Sequence, residues 1–328
     1  MHISLRRLIF LVFVLVFVIT APLVVFYTAG YRLNISNRHL QQTGVLAITT
    51  YPRGSNIVLN GQNLAQKTPY VVQRIMPNLH EITLQKKGYH EWSQKLRVDE
   101  GKTSYVTARL FADTEPVLLE GSAVSLALRA HDDHIITATD SASIRFFDNG
   151  ANVEVKTGTS PTEELIALLP EGTYRLLEED PEYILIADER NLGFMIARQG
   201  GEVVELPTAI LAFDWLDNEN LLIWTDGTEV NTYDAVSGEK TFITREGQTV
   251  HDVAWHPVAD SFFVVSGTTL LAYDRNVHET REVVPLLVDT NMQDIWLDAG
   301  GKNLFFADAQ ITPGTTTAPS VYELPLVQ

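Results

Sequence analysis

The stretches AFDWLDNENLLIWTDGTEVNTYDAVSGE (residues 212–239) and DVAWHPVADSFFVVSGTTLLAYDRNVHE (252–279) line up at a spacing of 40 residues, and their likeness decides the fold. Trp215 falls on Trp255, and Tyr233-Asp234 falls on Tyr273-Asp274, each pair closing an apolar run. Outward from there, Trp296 stands 41 residues beyond Trp255, and Tyr174 stands 41 before Trp215. Phe146-Phe147-Asp148 and Val321-Tyr322-Glu323 supply two further copies, which brings residues 115–328 to about five units. Short strand-like runs at this period are the pattern of β-propeller blades. One four-stranded sheet cannot cover both its faces alone, whereas neighbours in a ring can. The Trp and Tyr-Asp positions are expected to be core and turn residues of the blades. Insertions fall at 158–172 and 312–320, and Glu115–Glu120 is placed to lend a strand to the last blade.

Ahead of the repeats lies GVLAITTYPRGSNIVLNGQNLAQKTPYVVQRIMPNLHEITLQKKGYHEW (44–92). Its β-rich runs alternate apolar with polar residues around the turn signal Asn60-Gly61, which predicts a small antiparallel sandwich over residues 44–111. The order Pro52-Arg53-Gly54-Ser55, Asn60-Gly61, Thr68-Pro69 and Gly88-Tyr89 resembles the PEGA domain family, with departures at Arg53, Ser55 and Asn78. The resemblance implies a non-catalytic binding or spacer domain of cell-surface and envelope proteins in bacteria and archaea. The arrangement of apolar helix, short GYR-containing segment and PEGA unit also looks like a type of bacterial membrane protein. Residues 115–328 resemble WD40-like propellers more loosely, since the Gly-His and Trp-Asp dipeptides of that family are missing.

LIFLVFVLVFVITAPLVVFY (8–27) holds no charge and is long enough to cross a hydrocarbon core of about 30 Å. Arg6 and Arg7 precede it, so residues 1–7 are expected in the cytoplasm and the bulk outside, with 8–27 in the lipid bilayer of the plasma membrane. A cleaved signal peptide fits less well, because Pro22 would follow a cut after Ala21 and apolar residues run on to Tyr27. Residues 28–43 are polar without an apolar period and are expected to form a stalk. The fold expected is therefore all-β outside one transmembrane helix.

Charge is split along the chain. Residues 1–114 hold 13 Lys and Arg against 5 Asp and Glu, a balance of +8, and residues 115–328 hold 11 against 36, a balance of −25. So acidic a module is unsuited to gripping nucleic acid, and repulsion from anionic lipid would keep it off the bilayer while the basic domain stays near. The basic residues Lys67, Arg74, Lys86, Lys87, Lys95, Arg97 and Lys102 are dispersed, as a solvated surface would be, and also suit contact with anionic headgroups or wall polymers.

With no cysteine in the chain, disulfides, thiolate zinc sites and a cysteine nucleophile are excluded. No nucleophile-elbow, zinc-protease, P-loop or dinucleotide pattern occurs, so no catalytic, cofactor or metal residue is assigned and an enzyme is not expected. His131-Asp132-Asp133-His134, His251-Asp252 and His256-Pro257 suit loops and turns better than a metal site or a catalytic pair. Asn34-Ile35-Ser36 matches a glycosylation sequon. Tyr89 and Trp92 suit packing at the sandwich edge. The expected role is recognition of an envelope protein or a surface polysaccharide through the propeller. The alternatives are a polysaccharide hydrolase with an acidic site at the propeller mouth and a purely mechanical spacer.

Overall fold

The structure, a computed structural model, describes residues 2–28, 30–34, 39–132, 144–148, 150, 152–158, 164–275, 281–309 and 319–327. It divides into two compact units, Met1–Leu110 with Val277–Glu282, and Phe111–Asn276 with Val283–Gln328.

In the first unit the apolar run is one helix, His2–Thr28, and its segment Arg7–Thr28 has a mean hydropathy of 3.2 with no part buried by protein. At about 1.5 Å per residue that segment is long enough to cross a membrane. The hydroxyls of Thr20 and Thr28 donate to the carbonyls of Val16 and Val24 at 2.8 and 2.9 Å, so neither needs water. The residues expected as a stalk form a hairpin instead, Tyr31–Asn34 against His39–Gln42.

Two sheets then face each other. Tyr70–Ile75, Gly44–Tyr51 and Thr103–Arg109 make one; Gln62–Lys67, Asn56–Leu59, Asn78–Gln85 and Trp92–Val98 make the other. Alternate residues Leu46, Ile48, Ile57, Ile82, Leu84, Trp92, Leu96 and Val106 fill the space between them. The sandwich is not wholly antiparallel, because Gly44–Tyr51 pairs in parallel with Thr103–Arg109. The chain crosses through the second sheet between these two strands, which is the crossover a parallel pair requires. Asn60 and Gly61, with φ of 50° and 76°, turn the chain between Asn56–Leu59 and Gln62–Lys67, the left-handed pair that a two-residue hairpin turn demands.

The family landmarks meet in one buried knot. Thr50 Oγ1 lies 2.5 Å from Thr68 Oγ1 and 3.0 Å from Ser55 Oγ, and the Ser55 N–H donates to Thr68 Oγ1 at 3.0 Å. Gly54 N–H donates to Thr68 O and Thr68 N–H to Ser55 O. Ser55, a departure from the family pattern, thus adds a hydroxyl to a network that is already there.

The second unit carries five sheets. Three are complete and sequential: Tyr174–Glu179 to Val203–Ala209, Ala212–Leu216 to Lys240–Arg245, and Val250–Trp255 to Val283–Leu287. Before them stand Ile144–Asp148, Asn152–Thr157 and Glu164–Pro170. The last sheet is Asp294–Leu297, Asn303–Ala307 and Val321–Pro325, completed by Val117–Leu118, whose Val117 pairs with Glu323 and Leu118 with Tyr322. This is a five-bladed propeller whose final blade takes its outer strand from the start of the module. Apolar clusters bridge each consecutive pair of sheets from first to last.

One helix departs from the all-β expectation, Ser122–Asp132. Val124, Ala127 and Leu128 lie on one helical face and pack on Trp296, Ala307 and Val321 of the last sheet. Of the segments singled out in the sequence, Ile35-Ser36, Asp133-His134, 159–163 and 312–318 lie outside the described residues.

Thr68→Val would leave the Ser55 N–H buried without its acceptor, while the Thr50 hydroxyl keeps the Pro52 carbonyl, at a cost of about 1–3 kcal/mol. Calorimetry of the detergent-solubilised chain should show the sandwich melting several degrees lower, while Ser55→Ala, which removes only the added hydroxyl, should lower it less.

Candidate functional site

The repeat residues fall into rows across the blades. Trp215 pairs with Leu222 and Leu222 with Tyr233; Trp255 pairs with Phe262 and Phe262 with Tyr273. In the last blade the same row is Ile295, Phe306 and Tyr322, while Trp296 stands one residue along. A shift of one residue turns a side chain to the other face of a sheet. Trp296 therefore faces the helix, where its Nε1–H donates to Ala127 O at 2.9 Å and its ring stacks on Phe305 at 5.9 Å. The spacing of 41 in place of 40 is the sequence trace of that turn-over. Tyr322 stacks on Phe306 at 4.9 Å as Tyr273 stacks on Phe262 at 5.1 Å.

Other sequence landmarks take different places. Tyr174 opens its strand and pairs with Asp188, so it stands at the other end of the strand from the Trp215 row. Phe146–Asp148 lies two strands before the end of its sheet, whereas Tyr233-Asp234 and Tyr273-Asp274 lie one strand before. Asp234 accepts from the N–H groups of Val236 and Ser237 at 2.9 and 3.0 Å and so shapes a turn. In the sandwich, Pro52, Gly54 and Thr68 belong to the buried knot, Pro69 is exposed beside it, and Gly88 with Tyr89 follows the strand Asn78–Gln85. Lys86 Nζ lies 6.0 Å from the Tyr89 ring centre. Arg7 begins the exposed apolar segment, and the backbone of Arg6 lies in the same helix. His256 stands in the loop after the strand Val250–Trp255, as expected, and is buried against Phe111 and Phe263 with Nδ1 accepting from the Val258 N–H.

The first strands of four successive blades line a cavity of about 790 Å3. Each brings a carboxyl group to it, Glu178, Asp214, Asp252 and Asp294, joined by Asp217, Asp298 and one cation, Arg175. Two of these acids tie blade to blade. Asp214 Oδ2 accepts from the Trp255 N–H at 2.6 Å, and Asp252 Oδ2 accepts from the Ile295 N–H at 2.7 Å. Asp252 also receives the N–H of Val253 at 2.9 Å. Sequence reasoning left 36 acids of residues 115–328 undistinguished. The signal within reach was an acid on the first strand of each unit, which needs the strand boundaries before it can be seen.

Burial governs the protonation of these groups. It pushes Asp252 well above the usual carboxyl range, and the neighbouring Asp294 charge adds to the effect, while the amides of Ile295 and Val253 oppose it. A side-chain hydrogen bond to Asp294 raises Asp252 further. Half-buried Glu178 is likewise pushed up to about 8 by burial, with the charges of Asp217, Asp214 and Asp180 adding and the Glu179 amide opposing. At neutral pH the cavity wall thus presents carboxylic acids able to donate hydrogen bonds beside ionised ones. Among the described residues no group of three or more His, Cys, Asp or Glu is placed to hold a metal ion.

Residues 43–112 match the PEGA domain family. No curated protein matches the chain in sequence. Among solved structures the chain is similar to one in the mitotic checkpoint complex, at 13% identity and a TM-score of 0.39 over 76% of this chain and 72% of that one. It is also similar to one in a nidogen–laminin complex, at 13% identity and a TM-score of 0.33 over 51% and 71%. A third is Hsv2 of Kluyveromyces lactis, at 9% identity and a TM-score of 0.36 over 69% and 66%. The propeller assignment rests on the five sheets themselves.

Between pH about 4.5 and 8 the folded chain keeps a proton on Glu178 that the unfolded chain releases. Stability should therefore fall as pH rises through that window, by up to about 1.4 kcal/mol per pH unit from this group. Thermal melts of Glu178→Gln should have a flatter pH profile than the wild type, with the gain largest above pH 8. Asp252→Ala strands the amides of Val253 and Ile295 and should cost about 3 kcal/mol in chemical unfolding, more than Asp252→Asn, which keeps one acceptor oxygen.

Proposed function

We propose that this chain is a single-pass protein of the cell envelope whose N-terminus stays in the cytoplasm and whose propeller, outside, recognises a protein or polysaccharide partner. It acts by recognition and not by turnover. The observation that carries this reading is the use of Asp214 and Asp252 as blade-to-blade acceptors, which makes the funnel a rigid frame and not a set of free reactive groups. Rigid frames ringed by loops are suited to binding, since little ordering is lost on contact. Carboxylic acids that keep their protons, beside Trp215 and Trp255 in the cavity wall, suit ligands rich in hydroxyl or carbonyl oxygen.

Support for the membrane part comes from the exposed apolar helix Arg7–Thr28 with Arg6 and Arg7 at its start. The PEGA match supports a place at the cell surface.

A photo-crosslinking residue at Asn218, exposed at the rim of the funnel, provides the test in intact cells. A discrete adduct with protein or glycan is expected, and its loss on Glu178→Lys would tie it to the funnel. A chain that protease on whole cells shows to be outside, yet that yields no adduct, would overturn the recognition role.

One observation favours a second reading, a hydrolase. Glu178 holds its proton at neutral pH near Asp214 and Asp217, the division of acid from carboxylate that glycoside hydrolysis requires. Turnover of an oligosaccharide panel by the full chain, reduced about a hundredfold or more by Glu178→Gln, would establish the hydrolase instead.

A further inference from the structure

The helix meets the sandwich without a slack connection. Gly30 N–H donates to Tyr27 O at 3.3 Å, and Gly30 O receives both the N–H and the hydroxyl of Thr43 at 2.9 Å. The hairpin between them is closed at its base, so the last turn of the helix lies directly beside Gly44, where the first strand begins. Phe26 packs edge-on against Tyr31 at 5.5 Å. Arg74, from the strand that pairs with Gly44–Tyr51, places its guanidinium 5.1 Å from the Tyr27 ring centre and donates from Nη1 to the Tyr27 hydroxyl at 3.3 Å.

We propose that Arg74, with Arg32, binds the phosphate of an anionic lipid headgroup where the helix leaves the bilayer. This rests on the reading of residues 8–27 as a membrane anchor. A helix segment of 22 residues sets Tyr27 at the edge of the hydrocarbon, the level at which tyrosine is favoured and lipid phosphates lie. Arg74 is bound to that tyrosine and is therefore held at the same depth. One Nη1 N–H goes to the Tyr27 hydroxyl, and the remaining Nη2 and Nε N–H groups of the planar fork match two phosphate oxygens. Arg74 is exposed and has a φ of 57°, a left-handed conformation that a long side chain seldom adopts. Arg74 is the extra residue of a β-bulge opposite Gly44 and Val45, which takes it out of the ladder. Arg32, also exposed, follows Gly30 by two residues on the hairpin. Lys102, whose carbonyl receives the Val45 N–H on the same rim, is already paired with Asp99 at 3.1 Å and adds less.

The test reconstitutes the full chain into vesicles of equimolar phosphatidylcholine and phosphatidylglycerol. Gentle detergent extraction follows, and lipids retained per chain are counted by native mass spectrometry. The wild type should retain phosphatidylglycerol over phosphatidylcholine. Arg74→Asn, which tolerates the left-handed backbone, and Arg32→Gln should each reduce that preference about fivefold, as expected for one basic residue at a charged surface. Lys95→Gln, elsewhere on the sandwich, should leave it unchanged. Equal retention of both lipids by the wild type, or an unaltered preference in the double variant, would overturn the proposal. So would complete displacement of the lipid by inorganic phosphate at matched ionic strength, which would make the site one for free anion. Resistance to carbonate extraction is scored in parallel. A chain that carbonate removes overturns the anchor and this site together, whereas an inserted chain without preference overturns this site alone.

Discussion

A sheet with two apolar faces has to be covered twice, and the propeller is organised by that requirement. Each cluster in its core is shared by two neighbouring sheets, so no blade owns the surface it buries. The requirement is hardest to meet at the ends of the row. The last sheet finds one neighbour in Val250–Leu287, and among the described residues its other face is covered by the helix Ser122–Asp132. Trp296, turned over by one extra residue, supplies both the apolar surface and the indole N–H that this helix receives. The strand Val117–Leu118 then leads into the helix through Glu120, whose carbonyl takes the Ala123 N–H. The start of the module is thereby fastened to its end twice, once by strand pairing and once by packing, and the two-residue strand Val117–Leu118 becomes the short edge of that sheet.

Periodicity made the blades legible, because spacing survives where individual contacts do not. Trp215, Trp255, Tyr233 and Tyr273 fall in matched rows since a 40-residue step preserves the face to which each side chain points. The same logic misassigns Trp296. A step of 41 looks like tolerance in the repeat, yet a strand has a period of two and a single residue inverts it. Phe146–Asp148 differs for another reason, as an aromatic followed by an acid closes the first strand of its sheet there and the third strand in the sheets of Tyr233-Asp234 and Tyr273-Asp274. The helix Ser122–Asp132 is short, and a weakly apolar run of eleven residues gives little signal until Trp296 is known to need a cover. The hairpin at Tyr31–Gln42 was hidden by its polarity, since both strands carry mainly polar side chains and are held by backbone pairing. Asp214 and Asp252 act on the backbone of the next blade, 41 and 43 residues on, and no local pattern reports such a bond.

The funnel concentrates acids that the rest of the module could have kept in water. Burying Asp252 costs desolvation, and its two amide donors offset part of that cost. What the fold gains is registry between first strands, where a backbone N–H facing the channel would otherwise lack a partner. A channel built this way carries fewer negative charges at neutral pH than its composition suggests. The charge of −25 counted over residues 115–328 takes each of those acids as ionised.

The parallel pair in the PEGA sandwich has a consequence for an anchored protein. In an antiparallel pair the chain would enter and leave at one end. Here it enters at Gly44 and leaves at Arg109, at the far end of strands of eight and seven residues, about 25 Å away at the usual rise per residue. With the helix held against the entry end by Gly30, Thr43 and Arg74, the exit lies about a strand's length from the end of the helix. A flexible linker of comparable reach would set only an average distance, and would lose it to the entropy of the chain. A sandwich tied at its base sets the separation of its entry and exit by covalent geometry and packing, through strand direction and a short connection.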